Sequence, residues 1–168
     1  EGHFIKDHID ALNQYIPSDV QLIQVRYGRT KALSYKASSR EAIFILQLPV
    51  KSWFIKEIIS SAILWFFLVF KYDLSQYRLL NFHIAYPLLT YFHFFHKRLK
   101  IPVVISEHWS AYHFNFGVNR DLRRIKKIFT LRLPVITVSN ALTRDIGRFS
   151  GVKICSFILP NVVNENVF

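Results

Sequence analysis

Short apolar runs separated by helix-like stretches leave few folds open to this chain. Pro102–Ser106, Leu133–Val138 and Cys155–Leu159 each read as a strand with no polar alternation. A strand buried on both faces of a parallel sheet reads this way. Asn119–Leu131 lies between the first two, and the stretch from Ser139 to Phe149, followed by Gly151, lies between the last two. Asn119 and Ser139 can cap those helices, and Gly151 suits the end of the second. Strands alternating with helices imply a parallel sheet with right-handed crossovers, hence an α/β class.

The same alternation extends upstream. Gly2–Tyr15 places Phe4, Ile5, His8, Ile9 and Leu12 on one helical face, and Pro17-Ser18-Asp19 ends it. Val20–Tyr27, Glu41–Leu48 and Arg78–Ala85 read as strands. Ser52–Phe70 and Pro87–Leu99 read as helices. Gly28–Arg40 is polar and basic, which predicts a loop or hairpin tip. A sheet of this kind opens on a strand and a Gly-rich turn, yet here a helix starts at residue 2 or 3. The expectation is a piece lacking its first strand, with Gly2 as the last glycine of the turn. The absence of methionine and the opening on Glu1 fit a fragment or a processed form.

Composition narrows the partners. The chain has 168 residues, 51% of them apolar, enough for one cored domain and too apolar for disorder. Lys and Arg number 22 against 11 Asp and Glu, a net charge of +11. Such a field favours nucleic acid, phosphorylated substrates or anionic lipid. Cys155 is the sole cysteine, which excludes an internal disulfide and suits a reducing compartment. No secretory signal opens the sequence. The apolar run Ile58–Phe70 is shorter than the about 20 residues of a spanning helix. It reads as a buried helix, with a membrane-dipping helix as the alternative.

Loops after the carboxyl ends of parallel strands carry the ligands of such sheets. Three loops qualify: Tyr86-Pro87, Glu107–Gly117 and Ser139-Asn140. His108 can exchange a proton with a substrate hydroxyl near neutral pH, or can simply pack against backbone. Glu107 and Ser110 flank it as polar candidates. Ser139 and Asn140 open a helix whose free N–H groups suit a phosphate, although a plain Ser cap explains them equally. Arg120, Arg123, Arg124 and Lys127 share one helical face, while Leu122, Ile125 and Phe129 take another. A basic amphipathic helix serves an anionic membrane or anion surface, or is a solvated face. His93 and His96 have no carboxylate or thiol near them in sequence, so no metal site is expected. No G-x-G-x-x-G, Walker loop, helix-turn-helix, zinc finger or RNA-recognition signature occurs, so a nucleic-acid module would rest on charge alone.

Several stretches together resemble one family. Gly2-His3-Phe4-Ile5 with His8, Ala11 and Leu12 is similar to the helix after the Gly-rich loop of family-four glycosyltransferases. Pro102–His108 with Trp109-Ser110 resembles that family's strand ending in Thr-Glu-His or Phe-His. Val135–Ile146 (VITVSNALTRDI) resembles its "vIaVSeaLkrdl" stretch. Phe157–Asn164 (FILPNVVN) with Val167-Phe168 resembles the "viPNgVD…F" hinge. Val162 and Asn164 stand where the family's Gly and Asp are common.

The resemblance implies the N-terminal, acceptor-side half of a GT-B fold: a Rossmann-like parallel sheet with helices on both faces. Residues 1–160 would form that domain, incomplete at its start. Residues 161–168 would begin the hinge to a C-terminal donor-binding domain, which carries the family's E-x7-E pair. No two glutamates in this chain have that spacing. The implied enzyme is a retaining hexosyltransferase of cell-envelope or surface-polysaccharide synthesis. It moves a sugar from a nucleotide-sugar donor to a lipid-linked or glycan acceptor. It uses no cofactor or metal, and this piece alone would be inactive. His108 is implied as the catalytic-site histidine. Gly2, Glu107, Ser110, Ser139 and Asn140 are implied near the substrates. The expected location is cytoplasmic and peripheral on the inner face of an anionic membrane, with no nucleic-acid partner. The competing reading is a basic, non-catalytic module for nucleic acid or a membrane surface.

Overall fold

The computed structural model describes residues 5, 9–11, 13, 15–16, 18–37, 41–114 and 123–160, with Arg123 as backbone only. The chain divides into two compact units, one of residues 1–52 with 161–168, the other Trp53–Pro160. The described residues at 5, 9–11, 13 and 15 are helical, and the rest of the expected first helix lies outside the described residues.

The first unit holds a three-stranded sheet of β1 (Val20–Tyr27), β2 (Ala32–Ala37) and β3 (Glu41–Leu48), ordered β1-β3-β2. β1 runs parallel to β3, from Val20 opposite Glu41 to Tyr27 opposite Leu48. β2 runs antiparallel to β3. Gly28–Arg40 therefore contains a strand where a loop or hairpin tip was expected, and this sheet is mixed. The reason lies in the backbone. Every residue of β2 is exposed, so no apolar pattern announces the strand. Pairing on β3 satisfies its amides, and the Gln47 amide donates to the Thr30 carbonyl and hydroxyl at 3.0 and 3.1 Å.

The second unit is α/β with an all-parallel sheet. β4 (Leu80–His83), β5 (Val103–Glu107), β6 (Val135–Thr137) and β7 (Ser156–Ile158) lie side by side in chain order. α1 (Trp53–Phe66) continues as a wider turn over Phe67–Lys71. α2 (Arg123–Thr130) and α3 (Asn140–Ser150) flank the sheet between strands. Phe82, Ile105, Ile125, Ile128, Val135 and Ile146 join in one buried cluster. α3 has the ends read from sequence. The Ser139 hydroxyl accepts from the Leu142 amide, and Gly151 takes a left-handed φ of 75°.

The expected helix Pro87–Leu99 is instead a series of turns with two short 3-10 segments, Phe92–Phe94 and His96–Arg98. Leu89, Phe92 and Phe95 are all buried and recur every third residue. A 3-10 helix has 3.0 residues per turn and stacks these three on one side, whereas an α-helix would rotate the third away. Core burial selects the tighter winding, and the aromatic run has little α-propensity to oppose it.

An ion pair between a buried carboxylate and a partly exposed guanidinium ties α1 to α2. Glu57 is fully buried, and its carboxylate accepts from the Arg124 guanidinium at 2.9 Å. The same nitrogen donates to the Tyr91 hydroxyl at 3.0 Å. Removing one partner strands a charge in the interior, while replacing both with apolar groups can be neutral. Arg124→Met should lower stability by about 3 kcal/mol, and Glu57→Leu with Arg124→Leu should recover most of that. Chemical denaturation of the two variants checks this.

Candidate functional site

The carboxyl ends of β4, β5 and β6 gather the chemistry of the second unit. β4 ends on His83, opposite Ser106 of β5, and β5 runs on to Glu107, opposite Thr137 of β6. Adjacent parallel strands thus end at one edge of the sheet, and the chain leaves each into a loop there. The loop after β4 carries Ile84–Tyr86, and the loop after β5 carries His108–His113.

Glu107 joins these two loops. Its side chain is fully buried. One carboxylate oxygen accepts from the Ala85 amide and from the Tyr112 hydroxyl, both at 2.7 Å. Burial raises the Glu107 carboxyl above its usual range. The amides of Ala85, Trp109 and His108 and the Tyr112 hydroxyl pull it partly back. Tyr112 in turn is pushed well above the ordinary phenol range, first by burial and then by the carboxylate beside it.

The clamp accounts for an unusual backbone. Ile84 has φ of 65°, a left-handed conformation that costs a β-branched residue about 1–2 kcal/mol. It persists because both neighbouring amides are held. The Ile84 amide donates to the Ser106 carbonyl at 2.9 Å, and the Ala85 amide donates to Glu107. Backbone strain held in place this way concentrates at functional sites.

His108 sits directly after the anchored Glu107 and is half-buried. Its ring stacks on His83, centroids 5.8 Å apart and planes within 12°. His83 is held in turn by the Asn81 amide at 3.2 Å, and Asn81 accepts from the Ser106 hydroxyl at 2.9 Å. Two imidazoles from neighbouring strands therefore share one face. The Asn81 amide holds Nε2 of His83, and Nδ1 of His83 and Nε2 of His108 are shielded from solvent, so any hydrogen bond to a ligand falls to His108.

Aromatic rings follow on the same two loops. Trp109 stacks on Tyr86 at 5.8 Å, and Tyr86 meets Trp53 at 6.0 Å. Trp53 is exposed and Trp109 half-buried, so part of this surface is open to a ligand.

The remaining sequence candidates fall in distinct places. Ser110 is exposed at the start of the turn Ser110–His113. Ser139 is committed to its cap on the Leu142 amide at 3.2 Å, and Asn140 is exposed at the start of α3. His113 reaches Asp145 of α3 at 3.0 Å, which braces the loop after β5. Arg124 is turned onto Glu57 and so is not a bare surface charge, whereas Lys127 is exposed. Gly2 and Arg120 lie outside the described residues, as does the side chain of Arg123. Among the described residues no three His, Cys, Asp or Glu side chains are grouped to hold a metal ion.

Sequence reasoning passed over His83, Tyr86's ring and Glu57. His83 had a usable signal, since it closes a strand and His108 directly follows one. What singles it out is its pairing with β5, and register is invisible in one strand alone.

Two substitutions test the clamp. Glu107→Leu leaves the Ala85 amide and the Tyr112 hydroxyl without their acceptor and should cost about 2–4 kcal/mol. Glu107→Gln keeps an acceptor and removes the ionisation. A raised folded-state pKa means this group's contribution is fully present below its unfolded value of 4.5 and is lost as pH rises through the folded value. Glu107→Gln should therefore gain in Tm relative to the parent as pH climbs above 4.5, measured by thermal melts across that range. Comparison of the chain with family models, with curated proteins and with solved structures finds no significant match, so what this site does rests on its own geometry.

Proposed function

We propose that this chain is the acceptor-side, N-terminal half of a GT-B glycosyltransferase, a retaining enzyme that uses a nucleotide-sugar donor. The observation that carries the reading is the stacked His83–His108 pair. It stands at the carboxyl edge of a parallel sheet, on loops locked by Glu107 that also carry Trp109 and Tyr86. Sugars offer hydroxyls to an imidazole and C–H faces to aromatic rings, and this edge carries the half-buried His108 and Trp109. The ordered resemblance from Gly2 to Phe168 supports the same reading.

In this proposal His108 hydrogen-bonds a sugar hydroxyl or steadies charge at the reacting centre, and His83 orients its ring. Retaining transfer of this kind takes its donor phosphates and its glutamate pair from the C-terminal half, across the hinge that residues 161–168 would begin. The first strand of the GT-B half would add to the outer edge of β4, which has no neighbouring strand among the described residues. The proposed setting is the cytoplasmic side of a membrane that holds a lipid-linked or glycan acceptor.

The basic charge favours a second reading, a module that holds nucleic acid. Salt separates the two. Binding through many phosphates falls steeply with salt, while acceptor binding depends on it little. The test is direct. The 168 residues alone should turn over no nucleotide-sugar. In the enzyme with its donor half, His108→Gln should cut kcat by about 10²-fold with Tm retained. His113→Gln should have the smaller effect on kcat. Normal kcat in a folded His108→Gln variant would remove His108 from the site.

A further inference from the structure

α1 is inside out. Its buried side carries Glu57, Ser60 and Ser61, each less than a tenth exposed, along with Leu64. Its outward side carries Ile55, Ile58, Trp65 and Phe66, and the wider turn that continues it adds Val69 and Phe70 outside while burying Phe67 and Leu68; the six outward residues are exposed by 38 to 64%. At the α-helical spacing of about 100° per residue the four within α1 occupy about 100° of arc, opposite the polar side. An ordinary surface helix shows the reverse. Single exposed apolar residues need no explanation, but a continuous stripe this long marks an interaction surface.

We infer that this stripe docks on the surface of an anionic lipid bilayer, with α1 lying in the plane of the headgroup–acyl boundary. Three observations select lipid. The stripe is rich in Trp and Phe, which settle at that depth. Lys56 lies near one end, its ammonium 4.4 Å from the centre of the Trp53 ring, and exposed Lys71 lies at the other. Between Trp53 and Lys71 the single acidic side chain is Glu57, which faces inward and is neutralised by Arg124. An outward face free of carboxylates and bracketed by lysines is complementary to anionic headgroups.

The helix Trp53–Lys71 is also long and apolar enough to cross a membrane. The ion pair to α2 argues against crossing, because a spanning α1 would carry Glu57 into lipid and break its contact with Arg124. Lying flat keeps that contact and exposes the apolar stripe alone. The inference concerns a different surface from the histidine pair and stands whether or not the transferase reading holds.

Flotation of the 168-residue chain with phosphatidylcholine vesicles, with and without about one quarter phosphatidylglycerol, tests it. The chain should float with the anionic vesicles, and added salt should weaken but not abolish this. Trp65→Ser, Phe66→Ser and Phe70→Ser should each reduce partition about 10-fold. Their side chains lie on the outward side, so each variant should stay folded with a modest fall in Tm. Phe114→Ser removes a ring that is 74% exposed but lies off the helix, and should leave partition unchanged. In a chain carrying Trp53→Phe and Trp109→Phe, the fluorescence of Trp65 should be quenched by brominated lipid tails. Failure of the parent chain to float would overturn the inference. So would unchanged flotation of the three Ser variants together. A parent dimer that those variants dissociate, without vesicle uptake in either, would assign the stripe to a second copy and overturn it too.

Discussion

The buried carboxylate of Glu107 is the contact on which the arrangement at the sheet edge depends. A carboxylate in an apolar interior is costly unless donors surround it. Here the donors come from two loops that follow different strands, the Ala85 amide from one and the Tyr112 hydroxyl from the other. Meeting the needs of one buried oxygen therefore fixes both loops together. It holds Ile84 in a left-handed conformation and sets His108, the next residue along, at a defined height above His83. The half-exposed imidazoles can be precise because the group beside them is fully inside.

The second buried carboxylate works at longer range. Glu57 and Arg124 are far apart in sequence and join α1 to α2 through a contact that also takes in the Tyr91 hydroxyl. Its consequence is orientation. With Glu57 committed inward, the serines beside it follow, and Ile55, Ile58 and the aromatics of α1 are left on the outside. A helix this apolar has no strong amphipathic pattern of its own, so a single polar contact can decide which face is buried. The same contact draws Arg124 away from the basic face that periodicity alone would assign it.

The local elements were largely legible. Val20–Tyr27 and Glu41–Leu48 are strands with the bounds read from their β-branched runs, and the cap and stop of α3 follow from Ser139 and Gly151. The misses share one cause. β2 is exposed along its length and exists because β3 offers it a backbone partner. The segment after Pro87 abandons the α-helix because three core residues recur every third position. Neither outcome can be read from a window of sequence, since each depends on what lies across from it.

His108 and Glu107 were visible as polar residues closing an apolar strand, and Ser139 as a cap, because strand ends and helix starts carry local signatures. Alternation of apolar runs pointed by itself to a parallel α/β sheet, and the four-stranded sheet of the second unit has that form. Only the tertiary structure decided that Glu107 is an anchor and His83 the partner of His108, and that the serines of α1 go in and its tryptophans out. Strand register and the pairing of buried charges are long-range choices. They are made by contacts between residues that the chain itself keeps far apart.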